Sequence, residues 1–280
     1  MSLIEDTLAI VVLYKKNIKD SKTLHALSKT LKFYNKDTIL DVYVYDNSPK
    51  KQIVCFIDNL KIHYQHNPKN PGVSRAYNEG VEYATSLKKE WVFLLDDDTE
   101  ISKNYFQVLS ASINNEVNCY VPVLKDSGKI ISPCYFFMTL GYKIHEINYG
   151  VLTFGRHSFL NSGTFIKISS FLSINGYRDE IPLYFSDFDF VERLKKKEKH
   201  FYILETVFNH SLSFIDDSNY EAFLPTFERY CDGLKQFLKS NPRYIIPGLF
   251  FGFLRVIKKT IKHNSLKFFK IFKDVFLTRL

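Results

Sequence analysis

The sequence predicts an α/β fold in which helices cover a mostly parallel sheet and ligand binds above the carboxyl ends of the strands. Three observations predict it. Apolar runs of strand length alternate with stretches of helical periodicity over the first hundred residues. Each run stops in a cluster of polar turn residues. The most abrupt stop, EWVFLLDDDTEIS at 90–102, sets Asp96, Asp97 and Asp98 at the end of a buried strand, where open α/β sheets place their sites.

The elements follow in order. TLAIVVLY at 7–14 is an uncharged run that reads as the first buried strand, and behind it Leu24, Leu27, Leu31 and Tyr34 recur at helical spacing. ILDVYVY at 39–45 is a second strand, closed by Asp46, Asn47, Ser48 and Pro49; a short third strand covers 62–65. The loop HNPKNPG then leads into a helix over 73–87, and the strand carrying the aspartates comes next. Beyond a helix at 103–114, strands are expected over 119–124 and 129–137, with turn residues at 126–128 between them. The segment to 159 is rich in aromatics and glycine and has no clear period. NSGTFI at 161–166 is a small-residue turn before an apolar strand, with room for a bulky ligand. A helix over 187–199, a strand over 201–206 and a helical, increasingly basic remainder from about 220 complete the chain.

Composition narrows the class. A chain of 280 residues suits one large domain, alone or with an appendage, and an apolar fraction of 45% with 16% aromatics excludes disorder. Cys55, Cys119, Cys134 and Cys231 lack C-x-x-C spacing and read as buried thiols of a reducing compartment. No basic region precedes the first apolar run, so no signal peptide is expected. The longest apolar candidate, 244–254, is too short for a membrane span and contains Pro247. The net charge of +8 belongs to the tail, where eight Lys or Arg from Arg255 onward face only Asp274. Those charges are interleaved with Phe and Ile and accompany no base-reading motif, so nucleic acid is not the expected partner.

Two carboxylate groups carry the chemistry. Asp96, Asp97 and Asp98 would raise one another's pKa unless a cation neutralised them, and hard oxygen ligands suit Mg²⁺ or Mn²⁺. The same residues also suit a solvated turn before the next helix. In PLYFSDFDFVERLKKK at 182–197, Asp187 and Asp189 stand at a helix start, as a cap and dipole partner or, facing a cleft, as a general base.

Taken in order, VVLY, VYDNSP, NPGVSRAYNEG, LLDDDTE, NSGTFIKISSF, FSDFDFVERLKK and VFNHSLS resemble bacterial family 2 glycosyltransferases over residues 8–213. Within that family they are similar to the rhamnosyl- and galactosyltransferase-type enzymes of polysaccharide or O-antigen assembly. The resemblance implies a GT-A-like, Rossmann-type nucleotide-binding half at 1–100, an acceptor-binding and catalytic half at 101–215, and a helical basic extension at 216–280. It implies that Tyr14 and Asp46 contact the nucleoside, Asp46 through the base. Gly72 and Arg75 would line the nucleotide pocket and Asn78 would brace its loop. LLDDDTE matches the family's D-x-D motif, so Asp96, Asp97 and Asp98 would hold the sugar nucleotide and the ion, with Asp98 the direct ligand. Asp187 falls on the catalytic aspartate, Asp189 on the acidic residue after it, and His210 on a histidine that helps hold metal or pyrophosphate.

Two departures qualify the match. Ser186 replaces the glutamate that often precedes the catalytic aspartate, so the second acidic group comes from Asp189 or is dispensed with. Leu-Tyr-Lys replaces Thr-Tyr-Asn after the first strand, which makes Lys15 a phosphate contact. The implied activity is inverting, Mg²⁺- or Mn²⁺-dependent transfer from a UDP- or dTDP-sugar to a glycan hydroxyl, the glycan being polyprenyl-diphosphate-linked. The enzyme would work in the cytoplasm, on the inner face of the cell membrane. A sugar nucleotidyltransferase is the rival enzyme, but VVLYKKNIKDSK lacks its glycine-rich phosphate loop; a non-catalytic carbohydrate- or nucleotide-binding protein is the rival class. The basic, apolar carboxyl-terminal segment suits either an anionic membrane surface or a helical pair packed on the catalytic domain or on a second subunit of an oligomer.

Overall fold

The computed structural model describes residues 3–114, 116–210 and 219–277. Its first half alternates as expected: β1 (Thr7–Leu13), α1 (Lys22–Tyr34), β2 (Leu40–Asp46), β3 (Leu60–His66), α2 (Val73–Ser86) and β4 (Trp91–Asp96). Every residue of β1 is buried, because helices cover both faces of the sheet and an uncharged strand meets no solvent. β3, β2, β1 and β4 lie side by side in parallel, so Leu13, Asp46 and Asp96 finish at one edge.

The second half is mixed. After α3 (Tyr105–Ser112) come β5 (Cys119–Asp126), β6 (Lys129–Ser132), β7 (Cys134–Phe137), β8 (Leu140–Lys143), β9 (Gly150–Thr153), β10 (His157–Ser158) and β11 (Phe165–Lys167). Then follow α4 (Ile168–Ser173), α5 (Ser186–Leu194) and β12 (His200–Asn209). β11 enters antiparallel between β4 and β5, and β12 returns parallel to β5, giving the order β3-β2-β1-β4-β11-β5-β12-β9 with β6 hanging on β5. A mostly parallel sheet therefore describes the first half only. The single strand expected over 129–137 is two strands in different sheets, separated at Pro133, which has no N–H for a ladder. β7 instead joins β8 and β10 in a separate three-stranded sheet.

Two apolar layers sandwich the main sheet. On one face Leu24, Leu27 and Leu31 of α1 and Tyr105, Phe106 and Leu109 of α3 pack on Val11, Val44 and Phe93. On the other, Tyr77 and Val81 of α2 and Phe190, Val191 and Leu194 of α5 pack on Ile10, Val92 and Ile166. Three helices follow: α6 (Tyr220–Ser240), α7 (Ile245–His263) and α8 (Lys267–Leu277). Their mutual core includes Phe227, Cys231, Val256 and Phe268, and α6 also packs on α5. The junction at 215/216 expected from the sequence lies outside the described residues. No helix among those described is long and apolar enough to cross a membrane. All four cysteines are free thiols, with Cys55 alone partly exposed.

Candidate active site

Three parallel strands deliver the site. Where β4 ends, Asp96, Asp97 and Asp98 are partly buried, and Asp96 and Asp98 share one partner, His210. The Tyr77 hydroxyl donates to Asp96 Oδ1 at 3.1 Å. Lys16 Nζ is 3.4 Å from Asp97 Oδ1, which ties the turn to the loop after β1. His210, arriving from the end of β12, places Nε2 3.8 Å from Asp96 Oδ2 and Nδ1 3.4 Å from Asp98 Oδ1. Thr99 holds the turn in register, its N–H donating to Thr23 Oγ1 at 2.9 Å and its hydroxyl lying 2.5 Å from Ser162 Oγ and 3.1 Å from His210 Nδ1.

Burial acts on two of these carboxyls. Desolvation raises the Asp96 pKa, with Asp98 adding to it and His210 and Tyr77 opposing. Asp97 is pushed up to about 6, chiefly by burial, although Lys16 pulls it back. Crowding and a low dielectric make the charged forms of Asp96 and Asp97 costlier, and a cation beside them offsets that cost.

Asp187 faces this cluster from the start of α5. Phe185, in the left-handed region at φ 69°, turns the chain so that Ser186 opens the helix and Asp187 follows in its first turn. Its carboxyl is pushed up to about 8, first by burial and then by the charge of Asp96, while main-chain and side-chain hydrogen bonds from Asn161 pull it down. Its Oδ1 is buried without a hydrogen-bond partner. Asn161 is itself fixed, its Oδ1 accepting from the Tyr177 hydroxyl at 2.5 Å.

The other singled-out residues occupy varied places. Asp46 is wholly buried at the end of β2 and accepts from Ser48, Gln52 and Tyr64. Tyr14 is 46% exposed, with Lys15 Nζ over its ring. Gly72, at φ 97°, begins α2 where an added Cβ would lie 2.4 Å from the Pro182 carbonyl oxygen. Arg75 pairs with Glu79 and Asp179. Asn78 donates to the Tyr177 carbonyl at 2.9 Å and accepts from the Tyr177 N–H at 2.8 Å. These three residues join α2 to the 176–182 segment that carries the chain into α5.

Asp189 points elsewhere. It is 1% exposed, with Arg193 Nε at 2.8 Å, Arg178 Nε at 3.2 Å and Asn241 Nδ2 at 3.0 Å. Its oxygens are turned to the back of α5 and to the chain just after α6. One turn along, Glu192 accepts from Arg243 and from the Tyr244 hydroxyl, and meets Lys195 Nζ at 2.6 Å. Lys16, Tyr77, Thr99 and Ser162 were not legible as site residues, because tyrosines on amphipathic helices and single hydroxyls carry no local signature. Their common signal is position, each lying within a few residues of the end of a strand or on the helix face above one.

Residues 9–170 match the model of glycosyl transferase family 2. The chain belongs to that family. Asp187, Asp189 and His210 lie beyond the matched segment. No curated protein matches the chain. Among solved structures, this family member is similar to GalNAc-T7 with UDP, GalNAc and Mn²⁺, at 13% identity and a TM-score of 0.55, over 97% of this chain and 56% of that one. It is also similar to S. aureus TarS 1-349 in complex with UDP-GlcNAc, at 14% identity and a TM-score of 0.55, over 96% and 79% of the two chains. A third likeness is to the mannosyltransferase PcManGT from Pyrobaculum calidifontis in complex with GDP-Man and Mn²⁺, at 12% identity and a TM-score of 0.50, over 89% and 69%. The chain thus spans little more than half the length of the first of these. The shared architecture is the GT-A fold.

Proposed function

We propose that the enzyme moves a sugar from a nucleoside-diphosphate sugar to a hydroxyl of a glycan acceptor with inversion, using Asp187 as general base and a divalent ion at Asp98, Asp96 and His210. The observation that carries this reading is Asp187: a carboxyl with one buried oxygen unpartnered, raised to about 8 and electrostatically coupled to the β4 aspartates. A helix cap would have its oxygens occupied by main-chain N–H groups. An oxygen left bare beside a second acidic cluster suits a base that takes a proton from a bound hydroxyl.

The donor set fits Mg²⁺ or Mn²⁺, because two carboxylates and an imidazole converge at 3.4 to 3.8 Å. Among the described residues, however, no three such groups already stand at mutual coordination spacing. When bound, the ion would supply positive charge to the diphosphate leaving group. The chain's own residues do the rest. Tyr77 orients Asp96; Thr99, braced by Ser162, holds His210; and Lys16 offsets the charge of Asp97. Asn161 holds Asp187 by main-chain and side-chain hydrogen bonds, and its unpartnered Oδ1 is left to take the acceptor's proton. A base on one side of the sugar and the leaving group on the other require attack in line, and so inversion. Mn²⁺ with UDP or GDP-Man in the similar structures supports a divalent ion and a nucleotide-sugar donor. Asp189, enclosed by two arginines and Asn241, serves in this reading as the post that positions α5.

The acceptor side extends the proposal to a lipid-linked glycan of bacterial polysaccharide assembly, reached from the inner face of the membrane. Ile246, Leu249, Phe250 and Phe253 fall on one face of α7 at helical spacing and are 83%, 39%, 58% and 46% exposed. Gly248, Gly252 and Val256 on its other face pack on α6 and α8. Lys258 and Lys262 follow within the same helix and are exposed. Packing on the catalytic unit and lipid contact are therefore compatible, one for each face. The test is turnover of UDP-, dTDP- and GDP-sugars with Mg²⁺ or Mn²⁺, with and without chelator. Chelator-sensitive release of nucleoside diphosphate is expected, and turnover indifferent to chelator would overturn the metal assignment.

A further inference from the structure

One side chain closes the end of β2. Asp46 is wholly buried, and its carboxylate takes three hydrogen bonds: from Ser48 N at 2.9 Å on Oδ1, and from Tyr64 hydroxyl at 2.7 Å and Gln52 Nε2 at 2.8 Å on Oδ2. The Gln52 amide is engaged at its other positions too. Nε2 also donates to the Lys16 carbonyl at 2.8 Å, and Oε1 accepts from Ile18 N at 2.8 Å. A planar group that gives an N–H to a buried carboxylate while its carbonyl oxygen takes a main-chain N–H has the hydrogen-bonding edge of a lactam. Uracil, thymine and guanine present that edge, as a ring N–H beside a carbonyl oxygen. Adenine and cytosine present a ring nitrogen and an exocyclic amine instead.

The segment carrying Gln52 is held from the inside and bare on the outside. Residues 51–57 have no regular structure. Ile53 and Phe56 are 93% and 86% exposed, and the buried Ile57 anchors the far end. Beside Gln52 lies a cavity of about 530 Å³ whose lining includes Lys15, Lys16, Lys19, Lys50 and Lys51. Lys16 reaches from it to Asp97. The opening beside Gln52 thus runs on toward the acidic turn, lined by cations suited to phosphate.

We infer that Gln52 is an internal stand-in for the base of the donor. The base enters by displacing the Gln52 amide and taking over its bonds to Asp46, through its ring N–H, and to Ile18 N–H, through its carbonyl oxygen, as 51–57 lifts outward; the Lys16 carbonyl, which a single ring N–H does not also reach, finds a second donor only on guanine. The inference rests on the reading that Asp46 contacts the base. It adds that Gln52 sets donor affinity and that the pocket it leaves selects lactam bases. A site open only a fraction of the time binds more weakly by that fraction, so an open population of about one in ten weakens binding about tenfold.

The test is calorimetric titration of the full chain with UDP, GDP and ADP in the presence of Mn²⁺, on the wild type, Gln52→Ala and Asp46→Asn. Gln52→Ala is expected to tighten UDP and GDP by about tenfold and to leave ADP weak. Unchanged or weaker UDP and GDP binding by Gln52→Ala overturns the stand-in. If Asp46→Asn keeps the wild-type preference for UDP over ADP, the base is read elsewhere, and the reading of Asp46 fails together with the inference. Amide exchange of the wild type gives a second measure that needs no variant. Saturating UDP should speed exchange across 50–56 while Ile18 N–H, which changes one acceptor for another, stays protected. Slower exchange across 50–56 would overturn the displacement.

Discussion

Replacing Asp187 with asparagine separates its charge from its shape, and its effect on stability follows from the surroundings of the carboxyl. Burial and the nearby Asp96 push that carboxyl from the ordinary 3.8 up to about 8. An acid whose folded pKa exceeds its unfolded one binds its proton more tightly when folded. The stability it contributes is fully present below the unfolded value and is lost as pH rises through the folded value. Between about pH 5 and pH 7 the loss runs near 1.4 kcal/mol per pH unit, or roughly 2.5 kcal/mol over the window. The amide that replaces the carboxyl cannot titrate, so Asp187→Asn should gain on the wild type by about that amount from pH 5 to pH 7. Urea unfolding of both proteins in chelator, at several pH values across the window, measures it. A stability difference between the two proteins that stays constant with pH would refute the buried, charge-crowded account of Asp187.

Other predictions follow from the same geometry. Asp187→Asn should keep donor affinity and lose transfer by roughly 10²- to 10⁴-fold, read from initial rates with a competent donor and acceptor; near-normal transfer would place the base elsewhere. Gly72→Ala should lower stability by about 1–3 kcal/mol, because its φ of 97° and the Pro182 carbonyl 2.4 Å from the new Cβ both oppose a side chain; an unchanged urea midpoint would count against it. Asn241→Ala removes a buried donor to Asp189 and should cost about 1–3 kcal/mol in the same unfolding assay; no loss would mean that Arg178 and Arg193 alone fix α5. The double substitution Ile246→Ser, Phe250→Ser, at two exposed positions of α7, should abolish salt-sensitive sedimentation with phosphatidylglycerol vesicles while the urea midpoint holds. Undiminished sedimentation would remove that face of α7 as the lipid contact.

What the sequence discloses about this chain depends on how local the cause is. β1, β2 and β4 are legible because strands buried on both faces must be continuous apolar runs, and their polar ends mark the ligand edge. The aspartate triplet and Asp187 stand out for the same reason, as charge beside apolar sequence. The region from 129 to 159 is not legible, since its four-residue strands pair across two sheets and leave too few residues for a period to show. The partners of Asp189 are hidden as well: Arg178, Arg193 and Asn241 come from three separate stretches of chain, so nothing local distinguishes a buried ion cluster from a second catalytic acid. Gln52 is the extreme case, one polar residue after two lysines in a loop, whose role comes entirely from meeting Asp46, Lys16 and Ile18.

The central claim is that the turn after β4 holds a divalent ion through which a nucleoside diphosphate binds. Calorimetric titration of UDP into the wild type and Asp98→Ala, each with Mn²⁺ and with chelator, tests it most directly. Asp98 sits at a strand end, is partly exposed and contributes little to the core, so the variant should fold normally. Wild-type binding should require Mn²⁺, and Asp98→Ala should lose the metal-dependent part. Equal UDP affinity with and without Mn²⁺, or metal-dependent binding undiminished in Asp98→Ala, would contradict the account.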